Sequence, residues 1–291
     1  MTASQGKATR EEYLLYLRSL VSQFNLEISF NRKVTNITKQ ETGEFRVSHR
    51  SSRSIAPFED NSTAGASFST QIVVLAIGDM HAPNLLSVRG EELPCVSHYF
   101  VEPHMYFGKS VLVVGGKNSA VEAAIRLYRV GARVTLSYRG GEFDSKRVKY
   151  WLYPELLHLI RNKSIRFFPH SRVSEITRNG EVVFNSEDKT FKESFDEILL
   201  LTGYRQDPSL FEQIGIELVG NSKRPKLNEE TMESHVKGVF VIGTAVAGSQ
   251  IGGVKEYIET SHVHVDRVIQ KLFGESPSWS HYKSDKEFLE T

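Results

Sequence analysis

A short glycine-containing turn is the part of the chain best suited to bind a ligand. Residues 111–114 before it are all apolar, as in a parallel strand covered on both faces, and apolar side chains at helical spacing begin at Ala120. A helix start offers free backbone N–H groups and the positive end of the helix dipole, which together bind phosphate. The pattern predicts the phosphate-binding turn of a dinucleotide-binding βαβ unit. The candidate residues are Gly115, Gly116, Lys117, Asn118, Ser119 and Ala120.

This turn departs from the G-x-G-x-x-G/A fingerprint at one position. Gly115 and Ala120 fit, but Lys117 stands where the middle glycine is expected. A degenerate glycine motif also occurs in an ordinary strand-to-helix turn. Here Gly131 ends the helix and a second strand, residues 133–137, follows it, and this order favours the nucleotide-binding unit.

Residues at the end of the second strand predict the cofactor. An acidic residue there binds the ribose 2′-OH of NAD, whereas an arginine accommodates the 2′-phosphate of NADP. No Asp or Glu lies within residues 133–139, and a basic cluster follows. We therefore predict NADPH, although the later members of the cluster could simply form a solvated loop. The candidates are Tyr138, Arg139, Lys146 and Arg147, with Lys149 beside them.

Composition excludes several other classes of protein. The chain has 291 residues, 40% apolar and 24% charged, and a net charge of +1, so no global attraction to nucleic acid or to an anionic membrane is expected. No stretch approaches the ~20 apolar residues of a membrane span, and we find no signal-peptide core. Two domains and a cytoplasmic location are the simplest interpretation.

The single cysteine excludes an internal disulfide and a Cys-x-x-Cys redox pair. We interpret Cys95 as a small buried apolar residue rather than a reactive thiol. His98 and His104 stand six apart, and His262 and His264 two apart, but no cysteine or acidic partner completes a ligand set. No metal site is predicted.

Patterning along the chain predicts alternating helices and strands, as in an α/β protein. Thr9 and Glu12 form a capping box at the start of a helix, and Thr42 with Gly43 turns a hairpin. Residues 50–68 are expected to be a long hairpin tip or flexible insertion. The predicted helices are 8–24 and 254–272. The predicted strands before the nucleotide unit are 26–30, 34–40, 44–49 and 71–76, those in its continuation are 165–168, 173–178, 181–185 and 196–201, and a last strand is 239–243.

The order of these motifs resembles the thioredoxin reductase-like FAD/NAD(P)-dependent oxidoreductases. Within that group the chain is most similar to the bacillithiol disulfide reductase branch, which lacks the redox dithiol and carries a similar lysine in its glycine turn. The resemblance spans nearly the whole chain, and residues 115–120 are its most specific part. The other segments that carry it are 8–11, 76–78, 96–100, 149–151, 201–204 and 239–243, with Glu259 and His264.

This resemblance implies a two-dinucleotide-domain flavoprotein fold of the α/β class. A complete NADPH-binding Rossmann-like domain, residues 104–234, would be inserted in a partial FAD-binding domain made of residues 1–103 and 235–291. The implied cofactors are NADPH and FAD. Further cofactor-binding residues implied by the resemblance are Gly78, Gly203, Gly243 and Thr244.

Two departures from the family pattern concern the flavin. Family members begin with a strand–G-x-G-x-x-G–helix unit for the FAD pyrophosphate, and nothing like it precedes Thr9. Thr244 also stands where an acidic residue is common. We therefore expect an N-terminally incomplete chain that binds NADPH but, alone, retains little FAD.

The resemblance implies an oxidoreductase that passes electrons from NADPH through FAD to a low-molecular-weight thiol disulfide. No catalytic residue is assigned, because the attacking thiol would lie in the missing N-terminal part. Two alternatives stay open: a flavin monooxygenase-like enzyme, loosely suggested by His98 and residues 108–111, and a non-catalytic NADPH-binding remnant or subunit. No nucleic-acid or membrane partner is expected, and a homo-oligomer is possible.

Overall fold

The computed structural model describes residues 9–51, 65–187, 189–251 and 256–274. The chain divides into two compact units, Met1–Ile72 and Val73–Thr291. These units do not test the predicted boundaries at residues 103 and 234, which stay a prediction.

The first unit contains one helix and a three-stranded antiparallel sheet. Thr9 caps the helix in the predicted capping box with Glu12, and the hairpin turns at Gly43, which has φ +88°. The sheet buries Phe45 and Val47 on one face. The elements are α1 (Arg10–Gln23), β1 (Arg32–Lys39), β2 (Phe45–Ser51) and β3 (Ala66–Thr70).

Two predictions in this unit are wrong. Residues 26–30 alternate like a strand but form none, because Asn25 and Asn31, on either side, adopt left-handed backbone angles of φ +46° and +54°. Residues 66–68 were expected in an insertion, yet they pair with β2, where Phe68 lies opposite Val47. The rest of the predicted insertion, residues 52–64, lies outside the described residues.

The second unit begins with β4 (Val73–Leu75), and its helices and strands follow the α/β order predicted for it. The other elements are β5 (Ala82–Pro83), β6 (Val96–Ser97), β7 (Ser110–Val114), α2 (Asn118–Arg129), β8 (Arg133–Ser137), α3 (Leu152–Arg161), β9 (Arg166–Phe168), β10 (Arg172–Ile176), β11 (Glu181–Asn185), β12 (Thr190–Ser194), β13 (Glu197–Leu200), β14 (Tyr204–Arg205), α4 (Ser209–Ile214), β15 (Leu218–Val219), β16 (Arg224–Pro225), β17 (Val239–Val241) and α5 (His262–Phe273), with 3-10 turns at Pro103–Tyr106, Gly243–Ala247 and Ile258–Thr260.

A five-stranded parallel sheet forms the centre of this unit, in the order β6-β13-β7-β8-β9. Side chains alternate along β7, so Val111 and Val113 pack against α2 and α3. Leu112 and Val114 face the other side, where β10, β11 and β12 form an antiparallel sheet. Both faces of β7 are therefore covered, which explains why the strand is apolar throughout.

The apolar strands near residues 73 and 240 form a second parallel sheet. Val73 pairs with Val239 and Leu75 with Val241, and this pair is separate from the five-stranded sheet. We predicted these strands for a second domain; they lie in a sheet separate from that of β7, and their assignment to a second domain stays a prediction.

Two expectations in the second unit need correction. The helix predicted over 254–272 begins only at His262, because a 3-10 turn held by Tyr257 and Thr260 precedes it, and residues 252–255 lie outside the described residues. Cys95 is partly rather than fully buried, although it packs against the core on the β10–β12 side.

Removing a core side chain of β7 should destabilise the second unit. Leu112 is 0% exposed, so we expect Leu112→Ala to lower the free energy of unfolding by about 2–5 kcal/mol through lost burial and a residual cavity. Urea denaturation followed by circular dichroism measures this. The matched control is Leu85→Ala, at a site 56% exposed, which should change stability by only about 0.5 kcal/mol. Equal losses would contradict the assignment of Leu112 to the core.

Candidate functional site

The carboxyl ends of all five parallel strands lie at one edge of the central sheet. In open α/β sheets, ligands bind in the crevice at this edge, at the point where the strand order reverses. From β7 the chain continues on one side to β8 and β9 and returns on the other side as β13, so the reversal lies between β7 and β13. The predicted glycine turn begins at this point.

Gly115 occupies a position where no larger residue fits. Its φ is +152°, and a Cβ there would lie 2.5 Å from the carbonyl oxygen of Leu201 and 2.8 Å from the Cβ of Ala120. Leu201 in turn donates its N–H to the carbonyl of Val114, at 2.8 Å, and so joins the end of β13 to the end of β7. The two fingerprint positions that matched therefore serve the packing of the turn.

Gly116 is glycine for a different reason. A Cβ there would fall within the ring of Tyr138, which lies directly across the turn from the end of β8. The ring stacks on Phe143 at a centroid distance of 5.4 Å, so it is held in place. Lys117 is exposed at the N-cap of α2 and needs no such space. Gly116, the glycine that leaves this space, thus stands one residue before the middle glycine of the fingerprint, whose position Lys117 occupies.

The start of α2 is arranged to attract an anion. Its first turn holds no acidic residue, and Lys117 makes no side-chain cap hydrogen bond to it. Ser119 is exposed beside it. The side-chain oxygen of Asn118 accepts the backbone N–H of Lys149 at 2.7 Å and so ties the basic segment to the turn.

The predicted basic residues differ in how far neighbouring side chains already compensate their charge. Arg147 forms an ion pair with Asp144 at 3.2 Å, so part of its charge is already compensated. Lys149 lies over the ring of Trp151, at 5.1 Å. Arg139 is exposed, and no described residue forms an ion pair or hydrogen bond with its guanidinium. Of the predicted cations, Arg139 is thus placed at the end of β8 with its full charge available.

The glycines predicted for the flavin lie at the edge of the second parallel sheet. Gly78 and Gly243 follow β4 and β17 with φ +72° and +71°. Thr244 lies beside Gly78, since a Cβ placed on that glycine would be in ordinary van der Waals contact with the Thr244 Oγ1 at 3.9 Å. Gln206, which the sequence analysis missed, donates its Nε2 to the carbonyls of Gly78 at 2.8 Å and Ala245 at 3.1 Å. We refer to Gly78, Gly243, Thr244 and Gln206 together as the polar wall.

Gly203 belongs to the link that follows β13. Its carbonyl accepts the N–H of Asn84 at 2.9 Å, and the hydroxyl of Thr202 donates to the carbonyl of Asn84 at 2.6 Å. The next residue, Tyr204, pairs with Pro83 in the two-stranded β5–β14 ribbon. Gly203 is therefore placed at this ribbon, beyond the Leu201 that contacts Gly115.

A partly buried acid and a buried histidine lie near this wall. Gln250 donates to Asp79 at 2.7 Å and accepts the N–H of Glu256 at 3.1 Å. Glu256 approaches His264, with 3.9 Å between Oε2 and Nε2. Burial raises the pKa of Glu256, and burial with the nearby positive Arg267 lowers the pKa of His264. Both shifts favour the neutral forms.

The described residues fit NADPH well and FAD in part. For NADPH they provide the free N–H groups of α2, the close packing at Gly115 and the uncompensated charge of Arg139. For FAD they provide the polar wall, in which the Oε1 of Gln206 is buried without a partner in the described ranges. The residues that would bind the FAD pyrophosphate are not identified within that wall, because the 3-10 turn at Gly243–Ala247 is too short to serve as the phosphate-binding helix.

Among residues 9–51, 65–187, 189–251 and 256–274, no cluster of three or more His, Cys, Asp or Glu side chains could bind a metal ion. In those ranges no helix combines the length and the apolar character needed to cross a membrane.

Comparison with known proteins identifies the class. Residues 1–243 match the family described as pyridine nucleotide-disulphide oxidoreductase, and the chain belongs to that family. A relative in Bacillus subtilis, the bacilliredoxin reductase Bdr, is 38% identical over 269 residues, which are 91% of this chain and 77% of the relative.

Solved structures show the same fold. The bacillithiol disulfide reductase Bdr of Bacillus cereus superimposes with a TM-score of 0.83 at 30% identity, over 93% of this chain and 79% of that one. The Bdr of Staphylococcus aureus gives 0.81 at 25% identity, over 97% and 80%. Thioredoxin reductase from Lactococcus lactis shares the fold, with a TM-score of 0.71 at 19% identity over 93% and 82%.

These findings confirm several predictions from the sequence. The chain has the fold of the two-dinucleotide-domain flavoproteins, and it is an oxidoreductase whose cofactors are NADPH and FAD. They favour a disulfide reductase over the monooxygenase-like enzyme and the non-catalytic remnant. The individual cofactor-binding residues stay predictions.

The contact between Gly116 and Tyr138 can be tested without any ligand. Gly116→Ala places a methyl group inside the space of the Tyr138 ring, so we expect a loss of about 1–3 kcal/mol in stability. In the Gly116→Ala/Tyr138→Ala double variant the methyl meets no ring. Gly116→Ala should therefore lower the stability less in the Tyr138→Ala background than it does alone. This non-additivity, about 0.5–3 kcal/mol, is measurable by urea denaturation. Strictly additive losses would show that the ring does not lie on the turn.

Proposed function

We propose that this protein reduces a low-molecular-weight thiol disulfide with electrons from NADPH, and that the substrate is bacillithiol disulfide. The proposed binding of NADPH rests on the turn from Gly115 to Asn118, together with the uncompensated charge of Arg139 at the end of the next strand. The relatives named for reduction of bacilliredoxin and of bacillithiol disulfide support the substrate. In the overall reaction, NADPH and one proton convert one disulfide into NADP⁺ and two thiols.

The residues of the glycine turn would bind and orient NADPH. The backbone N–H groups at the start of α2 would bind the pyrophosphate, and the absence of a Cβ at Gly115 lets β13, β7 and the helix meet there. Arg139 would bind the 2′-phosphate by a charge-assisted hydrogen bond. Lys146 and Arg147 would add positive charge. Residues 104–234 would then be the NADPH-binding domain.

On the flavin side, Gly78, Gly243 and Thr244 would line the cofactor. FAD, when bound, accepts the two electrons of NADPH and supplies them to the disulfide. The positive φ values of both glycines turn the chain sharply after β4 and β17, so that backbone rather than side chains faces the ligand. Gln206 would hold the two loops together through its hydrogen bonds to Gly78 and Ala245.

We propose a cytoplasmic location and a soluble small molecule as the partner. The single cysteine supports the location, because disulfide-stabilised folds belong to oxidising compartments. Formation of a homo-oligomer stays a prediction.

The proposed reaction can be followed by two simultaneous measurements. An excess of FAD is supplied because the chain alone is expected to retain little of it. The protein should then oxidise NADPH when bacillithiol disulfide is added, and free thiol should appear in the ratio of two per NADPH. Glutathione disulfide serves as the matched acceptor and should react more slowly. NADPH oxidation that consumes oxygen and yields no thiol would contradict the proposal and favour the monooxygenase-like alternative.

Arg139 should decide which nucleotide binds. Reversal of its charge in Arg139→Glu removes a charge-assisted hydrogen bond worth about 1–3 kcal/mol, so we expect roughly tenfold or greater weakening of NADPH binding and little change for NADH. Calorimetric titration with both nucleotides measures this. Arg161→Glu, the same change on an exposed residue in the last turn of α3, should alter neither affinity.

The ratio of the two affinities is the decisive quantity for Arg139. If Arg139→Glu weakens NADPH and NADH equally, the residue does not recognise the 2′-phosphate, and a general defect of the site or of folding is the better explanation.

A further inference from the structure

His170 lies at the same edge of the sheet as the proposed nucleotide site. It follows β9, the strand next to β8, and therefore stands beside the loop that begins at Tyr138. Its φ is +48°, in the left-handed region that non-glycine residues rarely adopt. Such a conformation persists only where surrounding contacts enforce it, and it is concentrated at functional sites.

Backbone hydrogen bonds join this segment to the loop after β8. The N–H of His170 donates to the carbonyl of Gly140 at 3.1 Å, and the N–H of Ser171 donates to the carbonyl of Tyr138 at 3.1 Å. The hydroxyls of Ser171 and Ser137 are 2.7 Å apart in the buried interior. The left-handed turn at His170 thus lets two successive N–H groups reach the loop that carries Arg139.

The side chain of His170 adds a second contact. A Cβ on Gly141 would fall against the imidazole Nε2, so the ring packs directly on the backbone of this glycine. A Cβ on Gly140 would lie 2.7 Å from the Tyr138 ring. Each of the two consecutive glycines is therefore enclosed by one aromatic ring, Gly140 by that of Tyr138 and Gly141 by that of His170.

The orientation of the imidazole is itself restrained. Its Nδ1 lies 3.4 Å from Oε1 of Glu187, and the side chains are 48% and 74% exposed. Because this pair is largely in water, its direct contribution to stability is small. Its effect is to direct the Nε2 side of the ring toward Gly141.

Arg139 immediately precedes the enclosed glycines. Its guanidinium has no ion pair or hydrogen bond with the described residues, so the position of its backbone is the main restraint on where the charge can reach. Two adjacent glycines would otherwise leave that backbone flexible. Restraining a binding group before the ligand arrives increases affinity because less freedom is lost on binding.

We propose that His170 is a positioning residue for nucleotide selectivity: its ring, packed on Gly141, fixes the loop that presents Arg139 to the 2′-phosphate. The inference rests on the proposed binding of NADPH. His170, in the turn that follows β9 and with no direct role in the chemistry, would thereby contribute to the discrimination between phosphorylated and unphosphorylated ribose.

The test compares two nucleotide fragments that differ by one phosphate. Adenosine 2′,5′-bisphosphate and adenosine 5′-monophosphate are titrated calorimetrically into the full chain. His170→Asn is the chosen variant because asparagine tolerates the left-handed backbone but lacks the ring. We expect about three- to tenfold weaker binding of the bisphosphate and unchanged binding of the monophosphate.

A second variant distinguishes a loss of selectivity from a folding defect. Gly141→Ala keeps His170 but adds a methyl group against its ring, and it should reduce the selectivity in the same direction. In the double variant the loss should not exceed that of His170→Asn alone, because both changes disturb one contact. His158→Ala, on an exposed histidine in the last turn of α3, is the matched control and should leave both affinities unchanged.

The outcomes separate this inference from the proposed function. If the unaltered chain prefers the bisphosphate and His170→Asn keeps the preference, the inference alone is overturned. An equal loss for both fragments also overturns it, because that result indicates a purely structural residue. An unaltered chain that binds neither fragment overturns the proposed nucleotide site, and the inference with it.

Discussion

The close approach of β7, β13 and α2 at Gly115 is the constraint on which the proposed site depends. The carbonyl oxygen of Leu201 and the Cβ of Ala120 occupy the space that a side chain at this residue would need. Because Leu201 is hydrogen-bonded to Val114, the end of β13 cannot move away without breaking the sheet. The helix start is therefore held at the point where the strand order reverses, which is where parallel α/β sheets bind their ligands.

The charges and rings around this point follow from the same arrangement. Since β8 lies next to β7, the ring of Tyr138 falls across Gly116, and Arg139 is presented beside the turn. Asn118 brings the later basic residues to the same place through Lys149. The excess of uncompensated positive charge near a helix N-terminus is what a phosphate-bearing nucleotide requires.

Local signals explain why the nucleotide unit could be predicted from the sequence. An apolar strand, a glycine turn and an amphipathic helix occur in succession at β7 and α2, and each is legible within about a dozen residues. Residues 26–30 show the limit of such patterns, because their alternation is typical of a strand while the flanking Asn25 and Asn31 bend the chain out of one. The strand at 66–70 depends on pairing with β2, a non-local contact that composition does not reveal. Gln206 and His170 likewise make their contacts only with residues distant in the sequence, Gly78 and Gly141.

A structure of the protein with NADPH bound is the decisive test of the proposed nucleotide site. The pyrophosphate should lie at the backbone N–H groups of residues 116–119, and the 2′-phosphate should lie within hydrogen-bonding distance of Arg139. The Tyr138 ring and the end of β13 at Leu201 should border the same nucleotide. A nucleotide bound elsewhere, or bound here with its 2′-phosphate directed away from Arg139, would contradict it.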